Sequence, residues 1–311
     1  MYSLSQIRKG LSMARTNPAV LGREVNRLYY NRLNHRSYHR DGVDVLAEDW
    51  DNLIILDACR YDLFEQNNRL PGHLEKRLSR GSHTREFLWG NFTNRTVDDT
   101  VYISASPQLY VLRDKLGATF HDIVDVWIEA GWDQTTGTVL PETMTELAIE
   151  ASEKFPEKRL IVHYMQPHYP FINAPELNAR SPYDRDHSKA DIWGELMGQK
   201  RSVSRHTVWE AYRENLRAAL PAVEELMMAL LGRTVVTSDH GNMIGDRAAP
   251  IPIREWGHPP GIYTEELVTV PWLVYDNGDR REIVSGESVT TDATVSSDIV
   301  TERLKNLGYV E

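Results

Sequence analysis

One cysteine, Cys59, stands in a chain of 311 residues, so no intramolecular disulfide can form and the fold rests on packing and hydrogen bonding. No apolar run approaches the ~18 residues that a spanning helix requires, which removes a membrane-crossing segment from the expected structure. The opening MYSLSQIRKGLSMARTNPAV also lacks the apolar core of a secretory signal. With a lone thiol, these absences read as a cytoplasmic chain. Internal repeats and low-complexity tracts are missing, so repeat and fibrous architectures drop out. Acidic residues are scarce at one end. Residues 1–40 hold Arg8, Lys9, Arg15, Arg23, Arg27, Arg32, Arg36 and Arg40 against Glu24 alone, a net +7 in a chain whose total is −10.

What is present suffices for one large core. Hydrophobic residues make up 41% of the sequence, enough for one main α/β domain and a small appendage. We read residues 1–45 as a basic helical extension and 46–311 as the main domain, with an insertion over 173–206. In the extension, Ile7, Leu11, Met13, Val20, Leu21, Val25, Leu28 and Tyr29 are interleaved with the basic residues at partly helical spacing. That fits one or two amphipathic helices broken near Asn17-Pro18. Such a segment can lie on anionic lipid at the inner membrane face, or pack against the acidic body or a second subunit, which leaves an oligomer open. No nucleic-acid motif accompanies the arginines, and nucleic acid is not expected as a partner. The insertion is polar and carries Pro175, Pro182, Gly194 and Gly198; it is a candidate substrate lid or a surface loop without a role.

Periodicity predicts strands over 52–56, 100–104, 159–164, 233–238 and 267–275. Helices are predicted over 60–68, 84–90, 107–116, 141–154, 208–231 and 293–307. The alternation is that of a mixed, mainly parallel central sheet with helices on both faces. Open sheets of this kind bind ligands beyond the carboxyl ends of their strands, so chemistry is sought there.

The segment VVTSDHGN places Asp239 and His240 side by side where a β-branched strand ends in a glycine turn. A carboxylate and an imidazole together suit zinc, manganese or another borderline divalent ion, provided that other loops add ligands. Asp57 is placed in the same way after the apolar run Asn52–Leu56, although aspartate there also fits a helix cap. In Arg80-Gly81-Ser82-His83-Thr84-Arg85-Glu86, two hydroxyls precede a helix start. There a hydroxyl can face a bound anion, or simply cap the helix with Glu86 closing the box. Arg60 and Asp62 read as a local ion pair, and His163, on the apolar run Leu160-Ile161-Val162, as a packing histidine.

The order of these pieces, with His163-Tyr164-Met165-Gln166-Pro167-His168-Tyr169-Pro170-Phe171 and then Gly257-His258-Pro259, resembles the alkaline phosphatase superfamily in its sulfatase-like and phosphoglycerol-transferase-like branch. The resemblance spans about residues 50–275. It implies that Asp57, Thr84, Asp239 and His240 hold a divalent ion, with Thr84 as nucleophile and Ser82 in reserve. It further implies that His168 and His258 hold the oxygens of the transferred group or a second ion. The implied activity is hydrolysis or transfer of a phosphate ester, small or lipid-linked, by way of a phosphothreonine.

Two departures narrow this. Sulfatases of the superfamily make formylglycine inside a Cys/Ser-X-Pro-X-Arg motif, whereas Thr84-Arg85-Glu86-Phe87-Leu88 stands here, which cannot be converted. Ala58 replaces the second of the usual paired aspartates, pointing to one ion or a differently built second site. Cys59 reads as a small buried residue. The alternatives are an atypical sulfatase-like hydrolase, or an inactive member of the fold that binds a membrane or partner through its basic extension.

Overall fold

The backbone of the domain is a seven-stranded sheet with one edge to which the candidate residues are drawn. The structure, a computed structural model, describes residues 18–33, 35–128, 131–178, 192–198, 201–289 and 297–306. In chain order the strands are β1 (Asn52–Leu56), β2 (His73–Leu78), β3 (Thr96–Ser104), β4 (Thr119–Asp125), β5 (Trp132–Asp133), β6 (Thr138–Val139), β7 (Arg159–Tyr164), β8 (Gly232–Thr237), β9 (Met243–Arg247), β10 (Arg254–Gly257) and β11 (Thr269–Asn277). The main sheet runs β2-β11-β8-β1-β7-β3-β4. The five strands from β8 to β4 are parallel, and β11 is antiparallel to both of its neighbours.

A parallel sheet of this kind needs both faces covered, and β1 shows how. Its five residues are all buried; Ile54 and Leu56 join one apolar cluster and Leu53 and Ile55 the other. Helices Pro141–Lys154 and Arg205–Ala229 supply Met144, Ala148, Tyr212, Leu216 and Val223 to the first cluster, and helices Thr84–Phe92 and Gln108–Leu116 supply Phe87, Leu88, Phe92, Leu109 and Leu112 to the second. Each fully buried aliphatic side chain contributes about 1.5–3 kcal/mol, so the middle strands are the least negotiable part of the fold. Register does the rest. Leu56 lies beside Tyr164 of β7, and Ile55 beside Thr237 of β8, so the chain leaves these three neighbours on the same side of the sheet.

The mixed, mainly parallel architecture is the one read from the sequence. In the main sheet β2 and β4 are additions to that reading, and both form its edges; the two-stranded pairs β5–β6 and β9–β10 are additions as well. The sequence HLEKRL of β2 is half exposed throughout and carries no apolar run; edge strands tolerate such polar patterns because one side faces water. β3 starts at Thr96 rather than residue 100. Helix Ala19–Tyr30 is the described part of the basic extension, and residues 1–17 lie outside the described residues. Of the insertion, Pro175–Asn178 and Ile192–Met197 are helical, and residues 179–191 and 199–200 lie outside the described residues. Among the described residues, no helix is long and apolar enough to cross a membrane.

Candidate metal centre

Asp57 follows β1 directly, and Asp239 and His240 follow β8, its hydrogen-bonded neighbour. All three are completely buried, and one ligand atom from each lies within 4.8 Å of the others. His240 Nε2 stands 3.3 Å from Asp239 Oδ2, 3.6 Å from Asp57 Oδ1 and 3.3 Å from Thr84 Oγ1. Three loops distant in sequence thus meet on one ring nitrogen.

Each member is held by backbone and by small polar side chains. Asp239 Oδ1 accepts from the N–H groups of Ala58 (3.0 Å) and His240 (2.9 Å), which locks the first loop to the second. Ser238 Oγ accepts from Cys59 N–H at 2.8 Å and donates to the His240 carbonyl at 2.5 Å. Ser79 Oγ donates to the Asp239 carbonyl. The His240 Nδ1 lies 2.7 Å from the Gly241 carbonyl, which can only accept. The ring is therefore protonated at Nδ1, and in the neutral imidazole Nε2 is bare and aimed at the carboxylates. Gly241 is required by close approach: a Cβ there would sit 2.1 Å from the Glu266 carbonyl oxygen.

The donor set fits a divalent cation. Both oxygens of Asp57, Oδ2 of Asp239 and Nε2 of His163 are buried without a hydrogen-bond partner. Buried anions left in that state cost several kcal/mol unless paired or bound to metal. Oxygen and nitrogen donors from two carboxylates, an imidazole and a hydroxyl suit zinc or manganese. The helix-cap reading of Asp57 does not hold, because Arg60 occupies the N-cap of helix Tyr61–Asn67 and Asp57 makes no cap bond.

His163 sits deeper in the centre than a packing histidine would. Its Nε2 is 3.4 Å from Asp57 Oδ2 and 3.9 Å from Asp239 Oδ2, while Nδ1 is 2.9 Å from the Tyr102 hydroxyl. Burial opposes protonation of this ring, but the carboxylates of Asp57 and Asp239 beside it outweigh burial and raise its pKa. The Asp57 carboxyl moves the other way: burial works against its charge, yet His168, His163 and His240 together hold it below the ordinary carboxylate range.

The two hydroxyls separate clearly. Thr84 is the first residue of helix Thr84–Phe92, is 5% exposed and faces His240. Ser82 is spent on structure: its Oγ lies 2.9 Å from Glu86 and 3.1 Å from the Pro259 carbonyl, donating its one proton between them, and accepts from Gly261 N–H at 3.1 Å. Glu86 also accepts from Ser82 N–H at 3.0 Å, so it closes its box on Ser82, the residue before the cap.

Above this floor, His168 and His258 meet Nε2 to Nε2 at 2.9 Å, and the His258 ring lies 4.7 Å from that of His240. The His168 Nδ1 is bonded to the Tyr169 carbonyl, so its Nε2 is bare when neutral and accepts from His258. One proton is thus shared between two rings. Two imidazoles on one zinc ion would stand about 3.4 Å apart at tetrahedral angles, so a second ion here requires the rings to part. Burial lowers the His258 pKa well below the histidine range, and His240, His168 and His83 lower it further.

Sequence reasoning passed over the residues that hold these loops. Helix Arg205–Ala229 sends Asn215 into the Gln166–Phe171 loop, where its amide donates to the carbonyls of Pro167, His168 and Pro170 and accepts from Ile172 N–H. From the same helix the Tyr212 hydroxyl donates to the Ala58 carbonyl and accepts from Arg60 N–H. Arg60 and Asp62 do pair, at 2.6 Å, but Arg60 also reaches Asp246 at 2.8 Å and the Asn242 carbonyl at 3.3 Å, tying the Asp57 loop to β9. Cys59 is buried, and burial with the nearby Asp62 and Asp239 raises its pKa, so it stays an unreactive thiol.

No protein-family model matches the chain, and no curated protein matches it. Among solved structures it is similar to the soluble domain of lipooligosaccharide phosphoethanolamine transferase A from Neisseria meningitidis, at 14% identity and a TM-score of 0.44 over 72% of this chain and 75% of that one. It is similar to a putative sulfatase from Bacteroides thetaiotaomicron, at 12% identity and a TM-score of 0.44 over 77% and 66%. It is also similar to a protein in the alkaline phosphatase superfamily from Vibrio parahaemolyticus, at 10% identity and a TM-score of 0.39 over 88% and 70%.

Proposed function

We propose that the chain is a metal-dependent enzyme that hydrolyses or transfers a phosphate ester, small or lipid-linked, with Thr84 as nucleophile. The observation that carries this reading is the meeting of Thr84 Oγ1, Asp57 and Asp239 on His240 Nε2, with three carboxylate oxygens buried and unpartnered. Asp57, Asp239, His240 and Thr84 would hold the ion, with His163 beside Asp57. A bound divalent ion lowers the pKa of a coordinated hydroxyl and neutralises charge on the transferred group.

The rest of the chemistry belongs to side chains of the chain itself. Thr84, at a helix start, presents its oxygen where backbone N–H groups favour an anion. The Thr84 hydroxyl first loses its proton to solvent, and attack of the alkoxide on phosphorus forms the Thr84 Oγ1–P bond as the ester P–O bond breaks. The His168–His258 pair, carrying one extra proton, gives it to the departing alkoxide and returns to the neutral form. Water or a second alcohol then attacks the phosphothreonine, gives its proton to the same pair and frees Thr84 as the alkoxide. Neutral His258, made so by burial and its histidine neighbours, suits the accepting half of this cycle.

Chromogenic phosphate monoesters, phosphate diesters and sulfate esters, assayed with zinc and with manganese, test the reading. Turnover of a phosphate ester is expected, with Thr84→Ala lowering kcat by at least about 10³-fold. Ser82→Ala is expected to keep the reaction at reduced stability. Full turnover in Thr84→Ala, or none in any phosphate ester, overturns the assignment.

A further inference from the structure

Along helix Ala19–Tyr30 and just past its end runs an apolar row that stays exposed among the described residues. Leu21, Val25, Tyr29 and Leu33 recur every four residues and are 50%, 49%, 51% and 70% exposed. Spacing of four keeps Leu21, Val25 and Tyr29 on one side of the helix, and Leu33 follows just past its C-cap, Asn31. With Leu28 and Arg32, Val25, Tyr29 and Leu33 line a shallow depression of about 530 Å³. The exposure is fixed by how the opposite side is fastened. Gly22 lies against Ile251 and Ile253, Asn26 exchanges hydrogen bonds with the Ile251 backbone at 2.9 and 2.7 Å, and Arg23 forks onto the buried Glu255 at 2.7–2.8 Å.

On the helix itself Glu24 pairs with Arg27 at 2.8 Å and Glu255 with Arg23 at 2.7 Å, so the basic side chain beside the row that pairs with no carboxylate among the described residues is Arg32. The first 23 residues of the sequence contain Arg8, Lys9, Arg15 and Arg23 and no acid. On the structure, Arg32 lies over the Tyr29 ring at 5.6 Å and Arg40 bonds only to the His35 carbonyl, so neither pairs with a carboxylate among the described residues. The chain as a whole is acidic at −10, so the basic excess of its first 40 residues, +7, sets this end apart.

We propose that this helix face docks the protein onto an anionic lipid surface. A row of four half-exposed side chains is far smaller than the ~800 Å² that each partner covers in a stable protein interface. It does match a helix lying in the headgroup layer with its apolar side about 5–10 Å deep. Tyr29 and the Arg32 guanidinium that lies over it are the complement of anionic headgroups. The same helix rests on the loop after His258: the Arg27 side chain lies where a Gly261 Cβ would stand, 3.0 Å away, and the Tyr30 and Tyr263 rings are 6.0 Å apart. Docking would therefore tie the site to a surface that bears lipid-linked phosphate esters, a consequence that rests on the proposed phosphoryl-transfer reading; the docking itself does not.

Flotation of the full chain with phosphatidylglycerol vesicles and with phosphatidylcholine vesicles tests it. The unaltered protein is expected to float with the anionic vesicles, to be released by salt, and to bind neutral vesicles at least about tenfold more weakly. The double variant V25D/Y29D, altered only at exposed positions, is expected to lose at least about tenfold in binding. Its turnover of a soluble phosphate ester is expected to be unchanged, so that failure of docking and failure of the catalytic reading appear in different assays. Equal flotation of V25D/Y29D, no flotation of the unaltered protein, or a dimer in solution that V25D/Y29D dissociates each overturns the proposal.

Discussion

Four histidines meet in this site, and two pairs of them do opposite work. His163 and His240 belong to the floor, are at most 1% exposed, and point bare or unpartnered nitrogens at Asp57 and Asp239. His168 and His258 belong to the rim, sit on loops, and point at one another. The floor concentrates negative charge, which raises the His163 pKa after burial is overcome; the rim concentrates imidazoles, which with burial lower that of His258. The same side chain is thus set for a cation below and for proton movement above. The difference comes from neighbours: strand ends supply carboxylates to the floor, and loop carbonyls orient the rim rings.

The largest expected effect breaks the floor. Asp239→Ala removes an unpartnered carboxylate oxygen and the acceptor that locks the Ala58 N–H. Metal content measured by mass spectrometry is expected to fall from about one ion per chain to near zero. Losing a supporting partner of a ligand costs 10–100-fold in metal affinity, and losing the ligand is expected to cost more than about 100-fold. His168→Gln is expected to leave metal content intact and lower kcat by about 10²–10⁴-fold. If His168→Gln empties the site as Asp239→Ala does, the division between floor and rim fails.

A subtler change sharpens the floor itself. Tyr102 is wholly buried and its hydroxyl is the partner of His163 Nδ1 at 2.9 Å. Tyr102→Phe keeps the ring packing and leaves Nδ1 alone. Metal affinity is expected to drop about 10–100-fold with kcat at saturating metal nearly unchanged. An unaltered affinity would return His163 to a packing role.

Most of the floor was legible because it obeys strand logic. The buried runs Asn52–Leu56 and Gly232–Thr237 end in Asp57 and Asp239, and parallel pairing makes such ends converge. His163 was harder to read, since an imidazole on an apolar strand shows its role only once β7 is known to lie beside β1. Asn215 and Tyr212 gave no signal at all: they lie mid-helix, more than 40 residues from the loops that they pin. The edge strands β2 and β4 escaped for a related reason, because half-exposed strands need no apolar run. What sequence misses here is contact between distant segments, and it misses it most where a polar side chain replaces hydrophobic pattern as the cause.

The smallest expected effect concerns the stability of the metal-free protein toward acid, and it isolates the rim. Burial first, and then His240, His168 and His83, lower the His258 pKa from the ordinary value of about 6.5. In the unfolded chain His258 takes up its proton near that value, whereas in the folded chain it does not. Just below pH 6.5 the unfolded state therefore binds more protons, and stability falls as pH falls. A single group of this kind contributes at most about 1.4 kcal/mol per pH unit. His258→Gln removes the titration while keeping a polar side chain beside His168. In chelator-treated protein, denaturant melts between pH 7.5 and 5 are expected to show a shallower loss of stability for His258→Gln than for the unaltered chain. A steeper loss in the variant would mean that His258 accepts a proton in the folded state, and the rim would then carry charge as readily as the floor.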